Sequence, residues 1–155
     1  MIHFKKVLFE FNNGSGIKDT SFNIESGEYV CIIGPTGAGK TTLLKLIYMD
    51  IFPQKGEVIV DKYNSKKIKN KEIANLRRNV GMVFQNPQLL NDRSVFENIS
   101  IPLHIQGLGL KYIKNQVNEV LSKLGIEDKK NHFPNQCSGG EQQIISLARE
   151  LVKNP

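Results

Sequence analysis

The sequence predicts an α/β fold organised around one strand–loop–helix unit, with an antiparallel β portion before it and a mostly helical portion after it. Three observations predict it. Gly34-Pro35-Thr36-Gly37-Ala38-Gly39-Lys40-Thr41 follows the pattern G-x-x-x-x-G-K-[ST] of a phosphate-binding loop. An apolar run at residues 29–33 precedes the loop, and an amphipathic segment at residues 42–48 follows it. Beyond Gln85 the apolar residues switch to helical spacing.

Taken in order, residues 2–9 read as a strand, a turn follows at 12–16, and residues 19–24 read as a second strand, antiparallel in character. Ser26-Gly27-Glu28 turns the chain into residues 29–33, expected as a buried strand feeding the loop. Pro53 and Gly56 mark the end of the first helical segment, and residues 57–60 form a short strand. A basic loop then leads to a short helix at 72–78 and an apolar strand at 80–84, ending at Gln85. Ser94 and Glu97 make a capping box that opens a helix running toward Ile101, where Pro102 is expected to break or kink it. Ile113, Val117, Val120, Leu121 and Leu124 recur at helical spacing, with Gly125 as the C-cap. Ser138 and Glu141 make a second capping box, and the apolar residues from Ile144 to Val152 continue as a helix. The chain thus divides into a core at 1–85, a mostly helical subdomain at 86–137 and a final helix at 138–155, with no internal repeat.

Composition excludes several classes. At 155 residues, 39% hydrophobic and 23% charged, the chain suits one globular domain with a real core. No apolar run approaches the roughly 18 residues of a membrane span, and the first residues lack a signal peptide's apolar stretch. Cys31 and Cys137 stand far apart, outside any metal or redox spacing, which argues for a reducing compartment. Much of the net charge of +6 lies between Lys62 and Lys71. Without interleaved aromatics that run reads as a solvated loop, so no nucleic-acid partner is expected.

The chemistry of the loop follows from its residue types. Gly34, Gly37 and Gly39 let the backbone approach a triphosphate, and Pro35, Thr36 and Ala38 complete a turn whose N–H groups form an anion nest. The N-terminus of the following helix adds partial positive charge. Lys40 is expected to reach the β- and γ-phosphates, the Thr41 hydroxyl to ligate Mg²⁺, and Thr42 to bond a phosphate oxygen nearer the nucleoside. Gly139 and Gly140, at a helix start capped by Ser138, make a second candidate anion site.

The order of these pieces resembles the ATP-binding subunits of ABC systems. Gly34 to Thr41 matches their Walker A motif, Gln85 their Q-loop, and Ser138-Gly139-Gly140-Glu141-Gln142 their signature. Within the family, Leu76 to Gln85 and then Leu89-Leu90-Asn91-Asp92-Arg93-Ser94-Val95 look like the FtsE branch, which serves cell division. Lipoprotein-release and amino-acid import types share most of the rest. The resemblance implies a P-loop NTPase core using ATP and Mg²⁺, and a homodimer in which two subunits sandwich two ATP molecules. The signature of one copy closes on the γ-phosphate held by the other's loop. It further implies that Gln85 contacts Mg²⁺ and water and couples the site to an integral membrane partner, an FtsX-like permease. Phe11 falls where the family carries an aromatic that stacks on adenine. The implied location is cytoplasmic, peripheral on the inner face of the cell membrane. Cys137, Ile144 and Glu150 stand where the family usually has Leu, Arg and Ala, which predicts altered local hydrogen bonding in the signature helix.

The family's Walker B strand, catalytic Glu and switch His would follow Pro155. The fold is therefore expected to be incomplete at the C-terminus, with residues 29–33 exposed, poor nucleotide binding and no turnover. Two other readings stay open: a nucleotide-binding module without hydrolysis, and a P-loop kinase of small substrates, which residues 85–155 favour less because they lack an Arg-rich lid. The reading frame beyond codon 155 separates the ATPase subunit from the module without hydrolysis.

Overall fold

In the computed structural model, which describes residues 1–154, the early alternation builds strands that share one sheet. β1 (Ile2–Glu10) pairs antiparallel with β2 (Gly16–Ile24) on one side and with β3 (Lys55–Val60) on the other. β3 also pairs with the two-residue β4 (Tyr63–Asn64), so the order is β2-β1-β3-β4. Phe4 sits opposite Phe22 and Val58, and its ring stacks on Phe22 at 4.5 Å. The register shifts after Phe4, where Lys6 takes a left-handed φ of 47° and donates its N–H to Ser21 Oγ at 2.8 Å. Gly56 makes that irregularity possible. Its φ is +76°, and a Cβ there would lie 2.2 Å from the Lys6 carbonyl oxygen.

α1 (Lys40–Ile47) packs on β2 and β3 through its apolar face, burying Leu46 and Ile47 beside Met49. α2 (Asn70–Asn79) buries Leu76 alone among its residues. Arg77 fastens it by donating to the carbonyls of Tyr48 and Met49, at 3.3 and 3.1 Å, with its guanidinium 4.9 Å from the Tyr48 ring centre.

The remaining helices form a separate core. α3 (Val95–Ile105), α4 (Leu110–Leu124) and α5 (Gly139–Leu151) converge on Ile99, Val117, Leu121, Ile145 and Ala148, with two short 3-10 turns, Glu127–Lys129 and Pro134–Gln136, between α4 and α5. Asn98 is fully buried and fully used. Its Oδ1 accepts the Leu90 N–H at 2.8 Å, and its Nδ2 lies 3.0 Å from the carbonyls of Leu90, Arg93 and Ser94. The loop before α3 is thereby pinned to the helix it precedes.

Three sequence expectations are corrected. Residues 29–33 and 80–84 are irregular rather than β-strands, and Tyr29 and Ile33 are 95% and 88% exposed. An apolar run becomes a strand only when a neighbouring strand satisfies its backbone, and among the described residues neither run has one. Third, α3 continues through Pro102 to Ile105. Ile99 and Leu103 are held in the core on either side of the proline, and that packing outweighs the lost backbone bond. The compact units are Met1–Arg77 and Arg78–Pro155. The boundary thus precedes residue 85, and the segments read as 86–137 and 138–155 share one core.

Candidate phosphate-binding site

The loop at residues 34–39 closes around its own lysine. Lys40 Nζ donates to the carbonyls of Gly34 and Pro35, at 2.8 and 2.9 Å, and Ala38 N–H bonds the Pro35 carbonyl at 3.2 Å. Gly39 is the N-cap of α1, in left-handed conformation at φ 89° and with no side-chain cap. A Cβ at Gly39 would lie 2.6 Å from Ile17 Cγ2 and 3.1 Å from the Gly16 carbonyl, so only glycine fits between β2 and the loop. The first helical bond of α1 runs from Leu43 N–H to the Gly39 carbonyl at 2.9 Å. The amides of residues 40–42 therefore have no partner within the helix. The α1 first turn carries no acidic residue. Its polar side chains divide, with Thr41 exposed and Thr42 buried. The donor set is a lysine, a run of helix-terminal amides and a glycine cradle that a Cβ would fill. It fits the phosphates of a nucleotide, with Thr41 as the hydroxyl available to a magnesium ion.

Phe11 lies in the same unit. Its backbone closes the turn to β2, with Phe11 N–H on the Ser15 carbonyl at 2.7 Å and Gly14 N–H on the Phe11 carbonyl at 2.8 Å. Its ring is 39% exposed and meets Phe9 edge-on at 4.8 Å, which fixes the ring while leaving area for a stacked partner. A concavity of about 600 Å³ in this unit lies elsewhere, beside Lys5, Lys6, Lys55 and Lys66.

The second glycine site is built differently. Ser138 N-caps α5, and its Oγ accepts the Glu141 N–H at 3.3 Å, while Glu141 Oε2 accepts the Ser138 N–H at 2.7 Å. Lys129 Nζ reaches Glu141 Oε1 at 2.9 Å. Lys129 first, and then the Ser138 bonds, hold the Glu141 carboxyl down at about 2. Gly139 and Gly140 are exposed, with nothing within 4 Å of a Cβ placed on either. Gln142 Nε2 donates to the Pro134 and Cys137 carbonyls, at 2.9 and 3.1 Å, and ties the preceding turn to the helix. The departures at Cys137 and Glu150 leave this cap whole. Cys137 is buried in the helical core, where burial raises its thiol, and Glu150 accepts the Met82 N–H at 3.3 Å and pairs with Lys153. Ile144, 37% exposed, lies on the outer side of the helix.

Gln85 is exposed, and its carbonyl accepts from Gln143 Nε2. The sequence reading missed the residues that hold these groups: Lys129, and on α5 Gln143, Ser146 and Arg149. The α5 residues carry a legible signal, since 143, 146 and 149 recur every three positions as a polar row beside the apolar one. Lys129, twelve residues before Glu141, carries none.

A sequence profile described as ABC transporter matches residues 17–155. The chain is 40% identical over 156 residues to the cell division ATP-binding protein FtsE of Streptococcus pneumoniae serotype 2 (strain D39 / NCTC 7466), covering all of this chain and 68% of that protein. It is 38% identical over 159 residues to the methionine import ATP-binding protein MetN 1 of Listeria monocytogenes serovar 1/2a (strain ATCC BAA-679 / EGD-e), covering all of this chain and 47% of that protein. Among solved structures it resembles the ATP-binding cassette MJ0796 in a dimeric post-hydrolysis state bound to ADP and Pi, with a TM-score of 0.91, 33% identity, and coverage of 100% of this chain and 71% of that one.

Proposed function

This chain belongs to the ABC transporter family as an ATP-binding subunit, and on that footing we propose that it couples ATP binding and hydrolysis to an integral membrane partner. The observation that carries the reading is the loop at 34–39, where a left-handed glycine cap, an undischarged helix terminus and a lysine converge. In this reading Lys40 leaves the Gly34 and Pro35 carbonyls for the β- and γ-phosphates, an exchange of neutral acceptors for charged ones. Thr41 and Gln85 serve magnesium, Thr42 bonds the phosphate nearer the nucleoside, and Phe11 stacks on the base. Ser138, Gly139 and Gly140 meet the γ-phosphate held by a second copy, with Glu141 keeping Ser138 in place. The dimer of the MJ0796 cassette supports the pairing of copies. ATP bound here supplies a transferable phosphoryl group, and Mg²⁺ neutralises charge on it.

The similarity to FtsE supports a role in bacterial cell division with an FtsX-like permease, on the cytoplasmic face of the membrane. The similarity to MetN supports an import ATPase as the second reading. Calorimetric titration tests the core of the proposal: Lys40→Ala should remove most ATP binding, and an affinity within twofold of the parent would overturn it. Cross-linking from residues 86–137 in membranes tests the partner. An FtsX-like permease favours the first role, an importer permease the second, and soluble proteins alone contradict both.

A further inference from the structure

The segment from Gln85 to Gln88 has no ladder of its own, yet the carbonyls of Gln85, Pro87 and Gln88 are taken by side chains of a single helix. Gln143 Nε2 donates to the Gln85 carbonyl. Arg149 forks across the next bend, with Nη2 on the Pro87 carbonyl at 2.8 Å and Nη1 on the Gln88 carbonyl at 2.9 Å. Ser146, 1% exposed, approaches the Pro87 carbonyl with its Oγ at 3.4 Å. One turn upstream, Glu150 accepts the Met82 N–H. Gln88 takes a left-handed φ of 50°, a conformation that a non-glycine residue holds only when its surroundings impose it. Residues 143, 146 and 149 recur every three positions along one side of α5, and Ser138-Gly139-Gly140 is the N-terminus of that same helix.

We propose that Gln143, Ser146 and Arg149 are positioning residues which clamp the Gln85 segment to the signature helix, so that Gln85 and Ser138–Gly140 move as one body. Arg149 is the principal member. A guanidinium presents two parallel donors in a rigid plane and so fixes two consecutive carbonyls in direction as well as distance. Gln143 holds Gln85 itself. The clamp deepens the functional reading above, in which Gln85 serves magnesium and the glycine pair serves a second copy's nucleotide. An anion that draws on the start of α5 also pulls on the glutamine.

Two measurements on the full chain test the clamp. Amide hydrogen exchange of residues 85–90 should accelerate at least about tenfold in Arg149→Met, and less in Gln143→Ala, while α4 amides keep their protection. Arg149→Lys, which retains the charge and one reach, should restore part of the protection. Unchanged exchange in both Arg149→Met and Gln143→Ala overturns the clamp. In the second measurement, ATP titrations with Mg²⁺ and with EDTA give the magnesium-dependent part of binding. Gln85→Ala and Arg149→Met should both lose it, with binding in EDTA and the melting temperature unchanged. Loss in Gln85→Ala but not in Arg149→Met overturns the positioning role. Retention in Gln85→Ala, with faster exchange in Arg149→Met, overturns the role given to Gln85 and leaves the clamp standing.

Discussion

Two helices of this chain begin at glycine-rich, anion-ready N-termini, and they are finished in opposite ways. α1 starts from a left-handed glycine with no side-chain cap and no acidic residue in its first turn, and a lysine is folded over its loop. α5 starts from a complete capping box in which Ser138 and Glu141 satisfy each other's amides, and Lys129 then offsets the glutamate. The first terminus has no side-chain cap and a cation at hand, which suits it to an anion without help from a second group. The second has already neutralised part of its field and offers the amides of Gly139 and Gly140 only. A terminus of that kind offers fewer donors and a weaker field than the first.

Glycine substitutions should split the two most widely. Gly39→Ala introduces a Cβ into Ile17 at a left-handed φ, and should destabilise the N-terminal unit by about 2–4 kcal/mol in urea denaturation followed by circular dichroism. A loss below about 0.5 kcal/mol would mean that the loop yields freely and that its shape is not set by β2. Ser138→Ala should cost the helical unit about 1 kcal/mol, the usual worth of an N-cap, with Ser138→Gly losing less. Gly140→Ala has open space and ordinary helical backbone, so it should be neutral or stabilise α5 by up to about 1 kcal/mol. Any nucleotide-dependent pairing of copies should weaken in that variant, which analytical ultracentrifugation with ATP would detect.

The smallest effect concerns pH. Glu141 titrates at about 2 in the folded chain, below the ordinary 4.5, so its bonds stabilise the fold fully above 4.5 and lose that contribution as pH falls toward 2. Lys129→Met removes the first cause of the shift and should flatten the stability profile across that window. A profile unchanged from the parent would show that the cap alone holds the carboxylate. No corresponding acid step is expected from the first turn of α1, which contains no carboxylate.

The sequence announced what is local and withheld what is relational. Both serine caps and the Gly125 C-cap depend on residues within a few positions of one another, and each stands as read. The runs at 29–33 and 80–84 were misread because a strand is a property of a pair, and composition says nothing about whether a partner is present. The break read at Pro102 failed for the converse reason: a local penalty was overruled by Ile99 and Leu103, whose burial depends on α4 and α5. The grip of Arg149 on Pro87 and Gln88 spans some sixty positions, and no spacing rule reaches that far.

The strand order β2-β1-β3-β4 also sets a timetable. β1 finds β2 across a short turn, yet its other edge waits for β3, with Ile2 pairing Val60. Everything between, the phosphate loop and α1 included, must be looped out before that edge closes, and a closure of this length is slow beside the sequential docking of α3, α4 and α5. During synthesis the lysine-bearing loop leaves the ribosome ahead of the strand that completes its sheet. The unit that carries the phosphate loop is thus completed late, although the loop's residues emerge early.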